Sequence, residues 1–373
     1  MNEIPNLFIN YYVLAFALAF ILGLVGQRSS FCAVGGLRDR ITLGNGTRLW
    51  TFIAAMGVGI IASGSLEWLN VMNLSDSRPP YRTADFAWGR YIVGGFIFGL
   101  GMVLATGCGM RNTVKMGQGS YKSLWLVAVM SVMAYIMTRT SFYGEWIMPI
   151  FAPLTVHLDY AGSQDLASLI FGAGSQHIDL ALLVLSWMIG LSLLYFAFRN
   201  PEFRRPTPMI SALIVGAIIA TAYALTGGQF GAQLIDEAAF MESPPIGLGT
   251  QSFTFAAPMG DTVNYLMSPA NVSLITFGLI AVIGVALGSF VSSLLNRQFK
   301  VSGFDSAKDG VISSVGALFV GFGAVLAMGC SVGHGLSGVA TLALGSFVAV
   351  ASITAGAVVG IKFEPMWRKT KGC

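Results

Sequence analysis

Residues 94–108 read GGFIFGLGMVLATGC, and residues 316–330 read GALFVGFGAVLAMGC. Gly94, Gly99, Gly101, Val103, Leu104, Ala105, Gly107 and Cys108 all recur at an offset of 222 residues. The same offset, without gaps, carries Ser30-Phe31-Cys32 onto Ser252-Phe253-Thr254. It also carries the apolar segment that begins near Thr51 onto the one that begins near Ser273. One offset serving three separate segments marks an internal duplication.

The two copies sit in a chain built for lipid. Of 373 residues, 55% are hydrophobic and only 10% charged, where soluble domains carry about a quarter charged. Apolar runs of about 20 residues recur, the length a helix needs to cross ~30 Å of hydrocarbon. Nine such spans are expected, near 8–26, 48–70, 88–106, 121–138, 178–198, 209–226, 270–294, 310–328 and 338–360. The 46 glycines fall inside these runs rather than in polar linkers, which points to close helix packing and broken helices. The stretch 143–156 is too short and too proline-broken to span, and reads as an interfacial or extracytoplasmic element.

Five spans separate the duplicated segments, so the two halves must cross the membrane in opposite directions. The expected fold is therefore an all-α integral membrane protein, with about nine transmembrane helices and short re-entrant half-helices. They form an inverted-topology, pseudo-twofold repeat, an arrangement common in secondary transporters. A single transmembrane transport domain would occupy residues 1–373, its halves near 8–138 and 209–360 joined by 139–208.

Basic residues orient it. Arg28, Arg38, Arg40, Arg48, Arg111, Lys115, Lys122, Arg199, Arg204, Arg205, Arg297, Lys300, Lys308, Lys362, Arg368, Lys369 and Lys371 share one face. The other face keeps Arg78, Arg82, Arg90 and Arg139 among acids such as Asp159, Asp165, Asp236, Glu237 and Glu242. The positive-inside rule then places the C-terminus in the cytoplasm and the N-terminus outside, in a bacterial inner membrane. Cytoplasmic loops account for the net charge of +4, so nucleic-acid binding is not indicated. The start MNEIPN lacks the positive n-region of a cleavable signal.

In inverted-repeat folds the cargo site lies near the midplane, framed by discontinuous helices whose N-termini face an anion. Irregular backbone at that depth survives only where it lines a cavity or is buried in protein. The glycine breaks suggest four loop-plus-half-helix elements, near 28–38, 106–116, 250–260 and 328–338. Cys32, Cys108 and Cys330 each lie at one of them, with Thr254 at the fourth. A free cysteine usually packs as a small hydrophobe, but packing has no need of three thiols at repeat-related bends. A neutral thiol is a weak, soft donor, suited to a polarisable sulfur atom and able to release what it holds. Disulfide or persulfide exchange is the alternative chemistry.

Around these thiols, Ser30, Thr254, Gly107, Gly109, Arg111, Asn112, Gly329 and His334 are candidate pathway contacts. Asn112 and His334 align at the offset of 222. Arg111 reads equally as a positive-inside anchor, and His334 equally as a satisfied core histidine. Lys115 reads as an anchor, and Gln229 and Asp261 are weaker candidates. Cys373 ends a basic tail and carries no assigned role. The cysteines form no C-x-x-C pair, and there is no P-loop, no H-E-x-x-H and no carboxylate pair at membrane depth. No catalytic residue, metal ligand or cofactor site is expected.

SFCAVGG around Cys32, ATGCGMRN around Cys108 and AMGCSVGHG around Cys330 resemble the three cysteine signatures of the YeeE/YedE family of sulfur-compound transporters. The likeness covers most of the chain. It implies nine spans with short helices dipping in from both faces to an hourglass shape. It also implies import of thiosulfate, passed between the three cysteines by S–H···S contacts, and a TusA-like sulfurtransferase as a cytoplasmic partner. Region 139–177 matches nothing in the family pattern, which leaves room for another sulfur anion or a selenium compound. A membrane thiol enzyme or sulfurtransferase that forms a cysteine persulfide is the competing reading, and a passive anion channel a third.

Overall fold

A computed structural model of the chain describes residues 6–367; the readings of MNEIP and of the basic tail with Cys373 lie outside the described residues. The first half runs α1 (Asn6–Arg28), α2 (Ala33–Thr42), α3 (Thr47–Trp68), α4 (Trp88–Leu104), α5 (Gly109–Gly117) and α6 (Tyr121–Arg139). Between the halves come α7 (Met148–Phe151), α8 (Leu166–Phe171) and α9 (Ile178–Phe198). The second half has α10 (Pro206–Gly227), α11 (Gln229–Ala238), α12 (Ala257–Met267), α13 (Phe277–Leu295), α14 (Ala307–Leu326), a π-helical turn (Gly333–Gly338) and α15 (Leu344–Trp367). Among the described residues, nine helices are long and apolar enough to cross a bilayer. The protein is an all-α integral membrane protein.

Two spans start later than their hydropathy suggests. The segment expected from 270 becomes helical only at Phe277, after a turn at Val272–Leu274, because Thr276 accepts from the Leu279 N–H and caps the helix there. The one expected from 338 starts at Leu344, because the apolar residues before it belong to the π-helical turn and to a bend at Leu342 (φ 57°). The stretch 143–156 does not span: it holds one π-helical turn, α7 and one 3₁₀ turn.

Helix partners exchange under the 222-residue offset, which carries α3 onto α13, α4 onto α14 and α6 onto α15. Thus α4 packs on α15 and α14 on α6, a pair the offset exchanges, while α1 packs along α13 and α10 along α3, two helices the offset does not relate to each other. Helices α4 and α14 pack against each other along their length. The duplicated glycines explain how closely. A Cβ on Gly94 would come 2.5 Å from the Ala327 nitrogen, and one on Gly316 would come 2.5 Å from the Ala105 nitrogen. Ala327 and Ala105 are themselves a repeat pair. Only hydrogen fits between these backbones, the small-residue contact that membrane helices use in place of a hydrophobic drive. Helix α9 packs on α3, and the offset carries it onto no residue of the chain.

The intervening region is tied to both halves. Its strand β2 (Val156–His157) pairs antiparallel with β1 (Asp85–Phe86). The Leu166 N–H donates to the Leu342 carbonyl (3.1 Å), and the Leu344 N–H donates to the Gln164 carbonyl (2.8 Å). Asp165, the N-cap of α8, is buried there. Burial works to raise its pKa, but hydrogen bonds with Ser163 and Ser168 and the charge of Arg82 hold it below the usual carboxylate range.

Candidate functional site

Among the helices that end in one shared pattern, α3 and α13 included, three endings set up a thiol. Helix α4 finishes with the Thr106 N–H donating to the Val103 carbonyl and the Gly107 N–H to the Met102 carbonyl. Helix α14 repeats this with Met328 to Val325 and Gly329 to Ala324, and α1 with Ser30 to Gln27 and Phe31 to Gly26. This is the paired bonding of a Schellman ending, which requires a left-handed residue at the first position beyond the cap. That residue is normally glycine, yet here it is Ser30 (φ 51°), Thr106 (φ 56°) and Met328 (φ 64°). Each non-glycine residue in that region costs about 1–2 kcal/mol. In all three the cysteine follows two residues later and opens a short helix. The fourth break does not share the strain, and it is the one without a cysteine.

Each thiol is placed at a helix N-terminus. Cys32 is the N-cap of α2, its Sγ accepting from the Gly35 N–H at 3.3 Å. Cys108 is the N-cap of α5, in extended backbone. Cys330 Sγ accepts from the Gly333 N–H (3.3 Å) and from the Phe255 N–H across the fourth break (3.3 Å), with Thr254 Oγ1 at 3.9 Å. All three cysteines are free and buried. They also converge: the Cys108 thiol has Ser331 and the Arg111 backbone beside it, and Cys32 and Cys330 as electrostatic neighbours. Gly109 faces the Phe255 carbonyl and the Met259 side chain of α12, so all four breaks meet.

Two repeat-related side chains brace the breaks. The Asn112 amide donates to the carbonyls of Gly107 (3.0 Å), Cys108 (3.2 Å) and Ala105 (3.4 Å). His334 Nε2 lies 2.7 Å from the Ala327 carbonyl, and its Nδ1 lies 3.2 Å from Ser346 Oγ. Ala105 and Ala327 are equivalent, so an amide and an imidazole play the same part, each taking a carbonyl that the broken helix leaves without a donor. Both side chains are buried. Lys115, expected as an anchor, likewise donates to the Thr106 carbonyl (2.8 Å). Asp261 pairs with Arg139 (2.5 Å).

No motif marks several residues that hold the second copy. The Tyr81 hydroxyl donates to the Gly333 carbonyl (2.9 Å) and the Tyr223 hydroxyl to the Ser337 carbonyl (3.0 Å). Tyr81 and Tyr91 both set their rings edge-on to His334. Burial raises the Tyr81 phenol well above its ordinary pKa, so it remains a donor. Arg82, also buried, forks onto Glu67 and donates to the Thr341 carbonyl (2.8 Å). A cavity of about 460 Å³ reaches the centre beside Thr254 and Met328, with Arg78, Arg139 and Asp261 at its wall. A larger one, about 1080 Å³, is bordered by Glu67, Arg82 and Asp165 and shares Arg78 with the first.

A profile described as sulphur transport matches residues 28–359, which contain all four breaks. The chain belongs to the sulphur transport family. Among relatives, it is 26% identical over 339 residues to the thiosulfate transporter TsuA of Escherichia coli strain K12, covering 85% of this chain and 84% of that protein. It is 24% identical over 340 residues to the thiosulfate transporter TsuA of Spirochaeta thermophila, covering 89% of this chain and 92% of that one. Membership makes this a transport protein for sulfur compounds rather than an enzyme.

Proposed function

We propose that the protein imports thiosulfate, or a closely related sulfur anion, through a path on which Cys32, Cys108 and Cys330 relay the ion. The observation that carries this reading is the convergence of three free, buried thiols, each at a helix N-terminus. N–H donors already occupy the lone pairs of Cys32 and Cys330, which leaves each S–H free to donate to a soft acceptor. A thiosulfate terminal sulfur is such an acceptor, and half-helix N–H groups favour its negative charge. The contacts are individually weak, so the ion is passed on rather than trapped. Entry runs from the cavity that ends at Thr254, 3.9 Å from Cys330 Sγ. Ser30, Gly107, Gly109 and Gly329 shape the passage, with Asn112 and His334 fixing it.

The same reading makes residues 8–138 and 209–360 inverted halves of a bacterial inner-membrane protein. The exchanged helix partners support it. The N-terminus lies outside, the C-terminus inside, and a TusA-like sulfurtransferase receives the cargo in the cytoplasm. The test is uptake of radiolabelled thiosulfate into proteoliposomes, with sulfate, sulfite and selenite as competitors. Uptake that unlabelled thiosulfate suppresses and sulfate does not is expected; equal suppression by sulfate would count against a thiol-based path.

A further inference from the structure

The candidate site is nearly symmetric in its backbone, but its charge is not. Arg111 lies in the first turn of α5, three residues after Cys108, its backbone beside that thiol. The side chain lies over the break: a Cβ on Gly107 would sit 2.9 Å from Arg111 Cγ. Its Nη1 is buried and has no hydrogen-bond partner among the described residues, and the adjacent Asn112 Oδ1 is in the same state. The cations nearby differ. Lys115 bonds the Thr106 carbonyl, Lys122 pairs with Asp309, Arg38 with Glu364 and Arg48 with Asp39. A positive-inside anchor extends its head to water, whereas this guanidinium nitrogen is turned inward. The residue is only partly buried, but its inward-facing nitrogen lacks a partner among the described residues, which is costly, and an anion passing Cys108 would supply one.

The repeat-equivalent position is Gly333. A Cβ there would meet Thr254 Oγ1 at 2.6 Å and the Tyr81 hydroxyl at 3.3 Å, so neutral hydroxyls stand where the first copy has a guanidinium. We infer that Arg111 is the fixed countercharge of the path, a specificity-determining residue that selects sulfur oxyanions over uncharged sulfur compounds. Because it serves Cys108 and not Cys330, it draws the ion toward the cytoplasmic copy. This inference rests on the transport reading above.

The test compares wild type, Arg111→Gln and Arg111→Lys in proteoliposomes, reading thiosulfate KM, its dependence on ionic strength, and thermal unfolding. Losing one charge-assisted contact should raise KM about tenfold in Arg111→Gln. The Gln variant should also lose most of the salt dependence of KM, with melting unchanged. Arg111→Lys should restore KM to within about threefold of wild type. A KM for Arg111→Gln equal to that of wild type would overturn the inference while leaving the transport reading intact. So would equal losses in both variants with lowered melting, which would mark a structural role. Failure of wild type to take up thiosulfate would overturn the reading itself, and the inference with it.

Discussion

Replacing Cys330 by alanine removes the sulfur that accepts from the Gly333 and Phe255 N–H groups, both at 3.3 Å in a fully buried site. Each donor stranded in that way costs about 1–3 kcal/mol. Sulfur is a weak acceptor, so the lower part of the range applies and the two together cost about 2–3 kcal/mol. For a chain of this size that is a fall in melting temperature of about 3–6 °C. Cys330→Ser behaves differently, because a hydroxyl oxygen still accepts from both donors. Its melting should match wild type, yet its hard oxygen should not pass a thiosulfate sulfur, so uptake should fall at least about tenfold, the loss of one soft contact per passage. The assay is thermal unfolding of the purified protein beside labelled uptake in proteoliposomes, with insertion checked for each variant. Wild-type melting by Cys330→Ala would refute the capping role, and wild-type uptake by Cys330→Ser would refute the need for a thiol.

Thr106→Gly relieves a left-handed β-branched residue (φ 56°). Set against the extra chain entropy of glycine, it should stabilise by about 0.5–1 kcal/mol, read as a higher melting temperature with uptake retained. Gly94→Ala pushes a methyl to 2.5 Å from the Ala327 nitrogen. Because backbone cannot yield, the α4–α14 contact should open at a cost of at least about 2 kcal/mol, read as reduced melting and reduced folded yield. The lowered pKa of Asp165 makes its contribution to docking α8 fully present above the ordinary carboxylate value and progressively lost as pH falls through the depressed one. Proteolysis of the 158–176 region should therefore accelerate on acidification below the ordinary carboxylate range, and Asp165→Asn should remove that pH dependence.

The architecture was legible because membrane helices announce themselves by length and apolarity, and because the duplication shows which segments correspond. Gly94, Gly99 and Gly101 recur as Gly316, Gly321 and Gly323, and the structure uses Gly94 and Gly316 for two equivalent backbone contacts, on Ala327 and Ala105. The cysteines were legible for the same reason. The left-handed residues two positions before them were not, since serine, threonine and methionine carry no propensity signal for that conformation. Neither were the braces. Asn112 and His334 align in the sequence but share no chemistry until both are seen to reach Ala105 and Ala327. Tyr81 and Tyr223 act on carbonyls far along the chain, and no local pattern encodes such a pairing. The late starts of α13 and α15 followed from caps and a π-helical turn that hydropathy alone treats as continuous apolar chain.

The relay itself is tested most directly by uptake of labelled thiosulfate in proteoliposomes carrying Cys108→Ala, the thiol that neighbours both other cysteines. Uptake should fall to the level of empty liposomes while the variant inserts and melts close to wild type. Uptake at the wild-type rate would contradict the relay.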